Sequence, residues 1–353
     1  MLTTQTFIPG VERLHGGAPI LTKIDEHPWE SKVTFNPACI LIEEKEELRT
    51  IIASLPFSDA TRRTLLAEEA LCFLLYRAQG PATSLQDYTH SCMGLAVLTP
   101  DLRVLARARE PVLRPSEPYE NLGVEDGRLT KVNNRYFLTY TAYASGTPDN
   151  QVRIAVASTC NFVDWEKHGL LRGTFNESDN KNGMLFDAMF EGKHLLLHRP
   201  MKGEGAMQIH WAESDSVLGE WTSRGVLMHV RPNPKFIDTW IGGGAPPIAL
   251  PDGRFLMIYH IGNRRADLRR EYDLGIALID PHQSDPVVRR DEPLLRPMSA
   301  SETIGDLDLG VNDVVFTCGA YLYRGDLFLP YAGADSVVLA GKIAREDIQR
   351  YLA

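Results

Sequence analysis

Five stretches share one pattern, a short apolar run that ends in an aromatic residue or a histidine: LCFLLYRAQG, RYFLTYTAYA, KHLLLHRPMK, RFLMIYHIGN and DLFLPYAGAD. Placed in register, they align Tyr76, Tyr140, His198, Tyr259 and Tyr331 at spacings of 64, 58, 61 and 72 residues. Four of the five follow turn signals, VNNR, FEGK, LPDGR and YRGD. Such Asn-Asn, Gly-Lys and Asp-Gly pairs suit tight hairpins. A second strand-like run comes after each stretch, as in MGLAVLTPDL and LGIALIDPHQ, and a third comes before, as in NPACILI, EDGRLTKV and NDVVFTCGAYL. The unit is therefore three or four strands, repeated five times. Radial repetition of small antiparallel sheets makes a propeller. The expected fold is all-β, a five-bladed β-propeller forming one domain over residues 1–353. A β-sandwich is the alternative, but it demands no five-fold similarity.

The first unit departs from this pattern. Between NPACILI and LCFLLYR lies a stretch of about residues 43–70 whose apolar and charged positions recur at helical spacing, with Ser58 or Asp59 as a cap. A helical insertion at the edge of the first blade is expected there. Its expected role is packing or contact with a second copy of the chain, ahead of a lid over the site.

Composition narrows the function classes. A chain of 353 residues, 44% hydrophobic, can bury a large core. The formal net charge is −9 and there is no basic run, which argues against nucleic acid as a partner. The segment MLTTQTFIPGVERLHGG lacks the layout of a signal peptide, and no apolar stretch approaches the roughly 18 residues of a membrane span. Cys39, Cys72, Cys92, Cys160 and Cys318 are scattered, which reads as reduced thiols in a cytoplasmic protein. The ten histidines show no HxH or HExxH spacing, so neither a metal nor an organic cofactor is expected.

The candidate chemistry gathers where strands open or end. Just after the aligned residues come Arg77, Thr141, Arg199, His260 and Ala332. The blade-opening segments add Asn36, Glu125, Asp126, Arg128, Lys181, Asn182, Asn312 and Asp313. If these converge on a central funnel, they make a site for a sugar or a phosphate. Arginine binds an oxyanion through a fork of donors and lysine binds it as a point charge. The stretch GVEDGRLT, with two acids beside an arginine, would then open a blade at the funnel.

The motifs FNPACI, LLYRAQG, GVEDGRLT, NKNGMLF, LLLHRPM, WIGGGAPPI, MIYHIG, YDLGIALID, VNDVVFTCGA and YAGADSVV span roughly residues 33–345. In this order the chain resembles glycoside hydrolase family 130, the β-mannoside phosphorylases and mannosidases on a five-bladed propeller. The resemblance implies Asp126 as catalytic acid in an inverting reaction on a β-mannoside, with phosphate or water as nucleophile. It implies phosphate binding by Arg77, Lys181, His260 and Tyr272, and sugar contacts from Asn36, Glu125, Arg128, Arg199, Trp240 and Asp313. An acid must hold its proton; Glu125 and burial would favour this and Arg128 would oppose it.

The sequence departs from the family pattern in three places. Trp240 stands where a lysine is usual, Gly127 replaces the proline of EDPR, and Asp187 replaces the proline of LFP. Three functions stay open: a phosphorylase, a mannosidase with Asp187, Glu271 or Glu302 as base, and a non-catalytic sugar-binding propeller. The loops ASGTPDNQ, MKGEGAM and IGNRRADLRREYD would choose the linkage and acceptor.

Overall fold

The computed structural model describes residues 7–81, 90–305 and 311–352; residues 1–6 of the N-terminal segment lie outside it. The chain is all-β with few helices. Among the described residues the strands pair into five antiparallel meanders. The first is Val33–Ile42, Leu71–Gln79, Ser91–Leu98 and Val104–Arg107. The second is Gly123–Val132, Arg135–Ala144, Gln151–Thr159 and Glu166–Leu170. The third is Asn180–Leu185, His194–Pro200, Ile209–Ser214 and Thr222–Met228. The fourth is Asp238–Gly243, Phe255–Arg264, Arg270–Ile279 and Val287–Arg289. The fifth is Val311–Phe316, Asp326–Gly333 and Val337–Ile343, completed by Glu12–Arg13 from the other end of the chain.

Each meander touches the next. Ser91 bridges to Gly123, the Thr139 hydroxyl donates to the Gly183 carbonyl at 2.7 Å, and Ile241 N donates to Met207 O. Arg270 and Tyr272 pair in parallel with Val311 and Val314. The fifth returns to the first, where Cys318 N donates to Pro37 O at 3.1 Å and Thr34 N donates to Ser336 O.

The aligned aromatic residues prove to be structural. They stand on the second strand of each meander and do not line the main cavity. Tyr76, Tyr140 and Tyr331 each donate to a buried glutamate: Glu30 at 2.8 Å, Glu120 at 2.6 Å and Glu302 at 2.8 Å. Each glutamate also pairs with a cation from the fourth strand of its meander, Arg107, Lys167 or Arg13. Such a buried charge is tolerable only because every oxygen finds donors. Arg13 takes the place in the fifth meander that Arg107 takes in the first, in keeping with the pairing of Glu12–Arg13 with Lys342 and Gly341.

Two helices, Lys45–Ser54 and Asp59–Leu66, interrupt the first meander. Glu44 caps the first by accepting from Glu46 N and Glu47 N, and Ser58 caps the second by accepting from Thr61 N. Leu48, Ile51, Ile52 and Leu65 pack into the core with Phe73 and Phe162. Glu47 fixes the pair to the second meander, taking Lys131 at 2.6 Å and the Tyr136 hydroxyl at 2.5 Å. No residue of these helices lines the main cavity. Cys39, Cys72, Cys92 and Cys318 are buried free thiols, while Cys160 is exposed.

Candidate active site

Four opening strands carry the same irregularity. Asn36, Asp126, Asn182 and Asp313 all adopt positive φ, at 48°, 49°, 58° and 52°. Pairing slips by one residue around each, between Phe35 and Ala38, Glu125 and Arg128, Lys181 and Met184, and opposite Arg270 and Tyr272. These are bulges, which re-aim a side chain out of the strict alternation of a strand. Asn and Asp tolerate the left-handed region best among residues with a Cβ. The local reason that GVEDGRLT opens a strand is therefore this bulge at Asp126.

Three of the bulges, at Asn36, Asp126 and Asn182, bring polar groups into one cavity of about 620 Å³. At one end Asp126 Oδ1 accepts from Asn36 Nδ2 at 2.8 Å and from Arg77 Nη1 at 3.1 Å. Arg77 Nη2 donates to Glu125 Oε1 at 2.6 Å, and Arg77 Nε to the Ser91 hydroxyl at 2.8 Å. Lys181 Nζ lies 3.6 Å from Glu125 Oε2. Burial pushes the Asp126 carboxyl up, but the charges of Arg77, Arg128 and Lys181 and the bond from Asn36 outweigh it and hold it at about 2. Asp126 is thus a carboxylate among these neighbours, and burial with Glu125 does not give the protonation expected.

At the other end Arg199 Nη1 donates to His260 Nε2 at 3.0 Å, and Arg199 Nη2 reaches the Met201 sulfur at 3.5 Å. Among the described residues no carboxylate pairs with Arg199, and its Nε has no partner. Burial lowers it to about 10, still a cation at neutral pH. Burial and the Arg199 and Arg128 charges push His260 well below its usual range, so it is neutral and accepts from Arg199 rather than adding charge. Asn182 Oδ1 is buried without a partner. Gly242 permits this close approach: a Cβ there would meet His260 Nε2 at 2.6 Å and Asn182 Oδ1 at 2.7 Å. Tyr272 and Phe316 close this end around His260, with ring centres 5.8 and 4.7 Å away.

Several expected site residues fall elsewhere. Arg77 belongs to the carboxylate end, where Glu125 and Asp126 already hold it, and is no free phosphate cation. Arg128 is buried behind the cavity. It donates to the carbonyls of Gly243 at 3.1 Å, Gly244 at 3.2 Å and Asp126, so it ties the second meander to the fourth instead of meeting sugar. Trp240 is buried behind Tyr272, ring centres 5.5 Å apart, in the space left by Gly262, where a Cβ would lie 2.1 Å from the indole. It is not a cavity wall. Asp313 and Glu271 share Arg265, at 3.4 and 2.6 Å, outside the lining.

The other proposed bases are also displaced. Asp187 accepts from Ala249 N at 2.8 Å and faces a second cavity lined by Pro246, Pro247 and Ile248. Glu302 is filled by Arg13, Tyr331, Met298 N and Ser299 N.

Asn182, expected among the blade-opening residues, lines the cavity, and so do four residues without an expected role: Tyr143, Leu268, Arg270 and Asp335. Burial pushes the Asp335 carboxyl up to about 6; Arg77 opposes this, while Asp126 and Glu125 add to it. Its place four residues past the aligned Tyr331, in YAGADSVV, was the signal available in the sequence.

A carboxylate end and a cationic end in one cavity suit a polyol and an anion held together, the make-up of a carbohydrate-active enzyme. A family model described as beta-1,4-mannooligosaccharide phosphorylase matches residues 65–352. The chain belongs to that family, glycoside hydrolase family 130. It is 29% identical over 338 residues to a 1,2-beta-oligomannan phosphorylase of Thermoanaerobacter sp. (strain X514), covering 94% of this chain and 96% of the relative. A beta-1,2-mannobiose phosphorylase of the same organism is 29% identical over 340 residues, with the same coverage. A solved structure shares the fold at a TM-score of 0.73 and 24% identity, covering 97% of this chain and 95% of its own. It comes from work on glycoside hydrolases within the GH130 family of mannoside phosphorylases that target beta-1,2 mannosidic linkages in Candida mannan.

Proposed function

We propose that the chain is an inverting β-mannoside phosphorylase, taking a β-1,2-linked mannoside and phosphate to α-mannose 1-phosphate and a shortened acceptor. The observation that carries this reading is Arg199, a buried guanidinium with no carboxylate partner among the described residues, beside Lys181 and Asn182. A buried cation of this kind is completed by a bound anion. Phosphate at that end and sugar at the Asp126 end put nucleophile and acid on opposite faces of the anomeric carbon, the layout inversion requires. Asp126 donates the proton to the leaving oxygen. The names of the two full-length relatives support the β-1,2 linkage.

Hydrolysis would need a base for water, and none of the three bases expected from the sequence lines the cavity. Asp187 and Glu302 lie away from the cavity, and Glu271 is engaged by Arg265.

The five meanders fit the blades of a five-bladed propeller around this cavity, in one domain. In support, each bonds to the next and the fifth to the first. The same reading takes the protein to be cytoplasmic and to need no metal or organic cofactor. The test is incubation with β-1,2-mannobiose with and without phosphate. Mannose 1-phosphate formed only with phosphate is expected, and mannose released equally in both would reject the reading.

A further inference from the structure

Four charged groups stand in file across the cavity. Lys181 Nζ lies 3.6 Å from Glu125 Oε2; Glu125 Oε1 accepts from Arg77 Nη2 at 2.6 Å; Arg77 Nη1 donates to Asp126 Oδ1 at 3.1 Å. Glu125 therefore stands between a cation at the phosphate end and the cation that holds the acid. The cations around Asp126 also present a difficulty for catalysis. A general acid must carry its proton, yet the charges around Asp126 keep it ionised.

We propose that Glu125 is a positioning residue that links the arrival of phosphate to the protonation of Asp126. This rests on the phosphorylase reading above. Phosphate between Lys181 and Arg199 takes up the charge of both cations. Lys181 is drawn off Glu125, and Glu125 then acts on Arg77 alone. The hold of Arg77 on Asp126 weakens as its other arm is gripped.

The groups that face Asp126 change balance accordingly. Arg77 and Arg128 stay positive, Lys181 and Arg199 are neutralised, and Glu125, Asp335 and the phosphate are negative. His260 is neutral, and burial pushes the Cys318 thiol up to about 12, so it too is uncharged. Both the phosphate charge and the released Glu125 favour a neutral carboxyl.

The proton can enter on the phosphate itself. Dihydrogen phosphate passes one proton to the Asp126 carboxylate and remains as the dianion, so the charge of the site is conserved. In the chemical step a phosphate oxygen bonds to the anomeric carbon and the bond from that carbon to the leaving oxygen breaks. The electron pair stays on the leaving oxygen, and Asp126 returns its proton there.

The test is calorimetric titration of the intact protein with inorganic phosphate, at a pH where phosphate is already the dianion. Repeating it in buffers of different ionisation enthalpy counts the protons taken up. The wild type is expected to take up a proton with each phosphate. Asp126→Asn is expected to bind phosphate with no uptake. Glu125→Gln is expected to bind phosphate with the uptake lost, and Glu125→Asp, which keeps the charge, to retain it. Undiminished uptake in Glu125→Gln or in Asp126→Asn overturns the proposal, as does uptake that vanishes in Asp335→Asn but survives in Asp126→Asn. Phosphate bound by the wild type without uptake overturns this proposal alone. No phosphate binding at all overturns the phosphorylase reading beneath it.

Discussion

Asn36 and Asp126 occupy the same bulge in neighbouring meanders, both at positive φ, and Asn36 Nδ2 donates to Asp126 Oδ1 across 2.8 Å. The two bulges aim the side chains at each other, and one amide proton fixes the oxygen of the proposed acid.

This pair gives a graded prediction. Asp126→Asn removes the proton donor and should lower kcat by roughly 10²–10⁴-fold with the fold intact. Asn36→Gly keeps a residue that tolerates the left-handed backbone and removes only the hydrogen bond. In the protonated acid this is a bond between neutral groups, worth about 0.5–1.5 kcal/mol, so a kcat loss of up to roughly tenfold is expected from lost positioning. Steady-state rates of both variants on a mannoside with a poor leaving group decide it. Near-normal turnover by Asp126→Asn would remove Asp126 from the acid role.

Arg199→Ala should raise the KM for phosphate far more than the KM for sugar. Loss of a charge-assisted bond of about 1.5–3 kcal/mol corresponds to roughly 10- to 150-fold. His260→Ala should act in the same direction but more weakly, because His260 is neutral and only orients Arg199. Separate saturation curves for the two substrates measure this. Equal effects on both would mean the cationic end is not a phosphate pocket.

Trp240→Lys should cost stability without changing the ratio of phosphorolysis to hydrolysis. The indole is buried between Gly262 and Tyr272. A lysine there loses the packing and buries an unpaired charge, at a cost of about 3 kcal/mol or more. Urea unfolding and product analysis on one preparation check both halves. A changed ratio at unchanged stability would put residue 240 on the cavity wall.

Asp335 predicts the pH dependence of folding. Its carboxyl is raised to about 6 in the folded chain, against an ordinary aspartate value near 4 when unfolded. The folded state therefore binds more protons in that window, and stability falls as pH rises through it. Above about pH 6 the penalty is fully present. Asp335→Asn should thus stabilise the protein by about 3 kcal/mol at pH 8 and by little at pH 4. Thermal melts at the two pH values test the sign, and equal shifts at both would exclude this origin.

Much of the repeat was legible because strand patterns recur with their turns. The aligned Tyr76, Tyr140 and Tyr331 marked the second strands correctly, yet their register carried no sign that they bind buried Glu30, Glu120 and Glu302. Those glutamates sit in short turns with no periodicity of their own. The acids and amides at the strand openings were visible as residue types; the bulges that aim them were not, because a one-residue slip leaves no mark in an apolar pattern. Arg77 and Arg199 looked alike in sequence. Their difference lies in their neighbours: Glu125 and Asp126 for one, neutral His260 for the other. Trp240 looked like a replacement for a cation because its burial depends on Gly262, distant in the chain.

The most direct measurement is a phosphorus NMR time course of the protein with β-1,2-mannobiose and inorganic phosphate. The inorganic phosphate signal should decline while an α-mannose 1-phosphate signal grows in step with one free mannose per disaccharide. A constant phosphate signal while the disaccharide is consumed and two mannoses appear would contradict phosphorolysis.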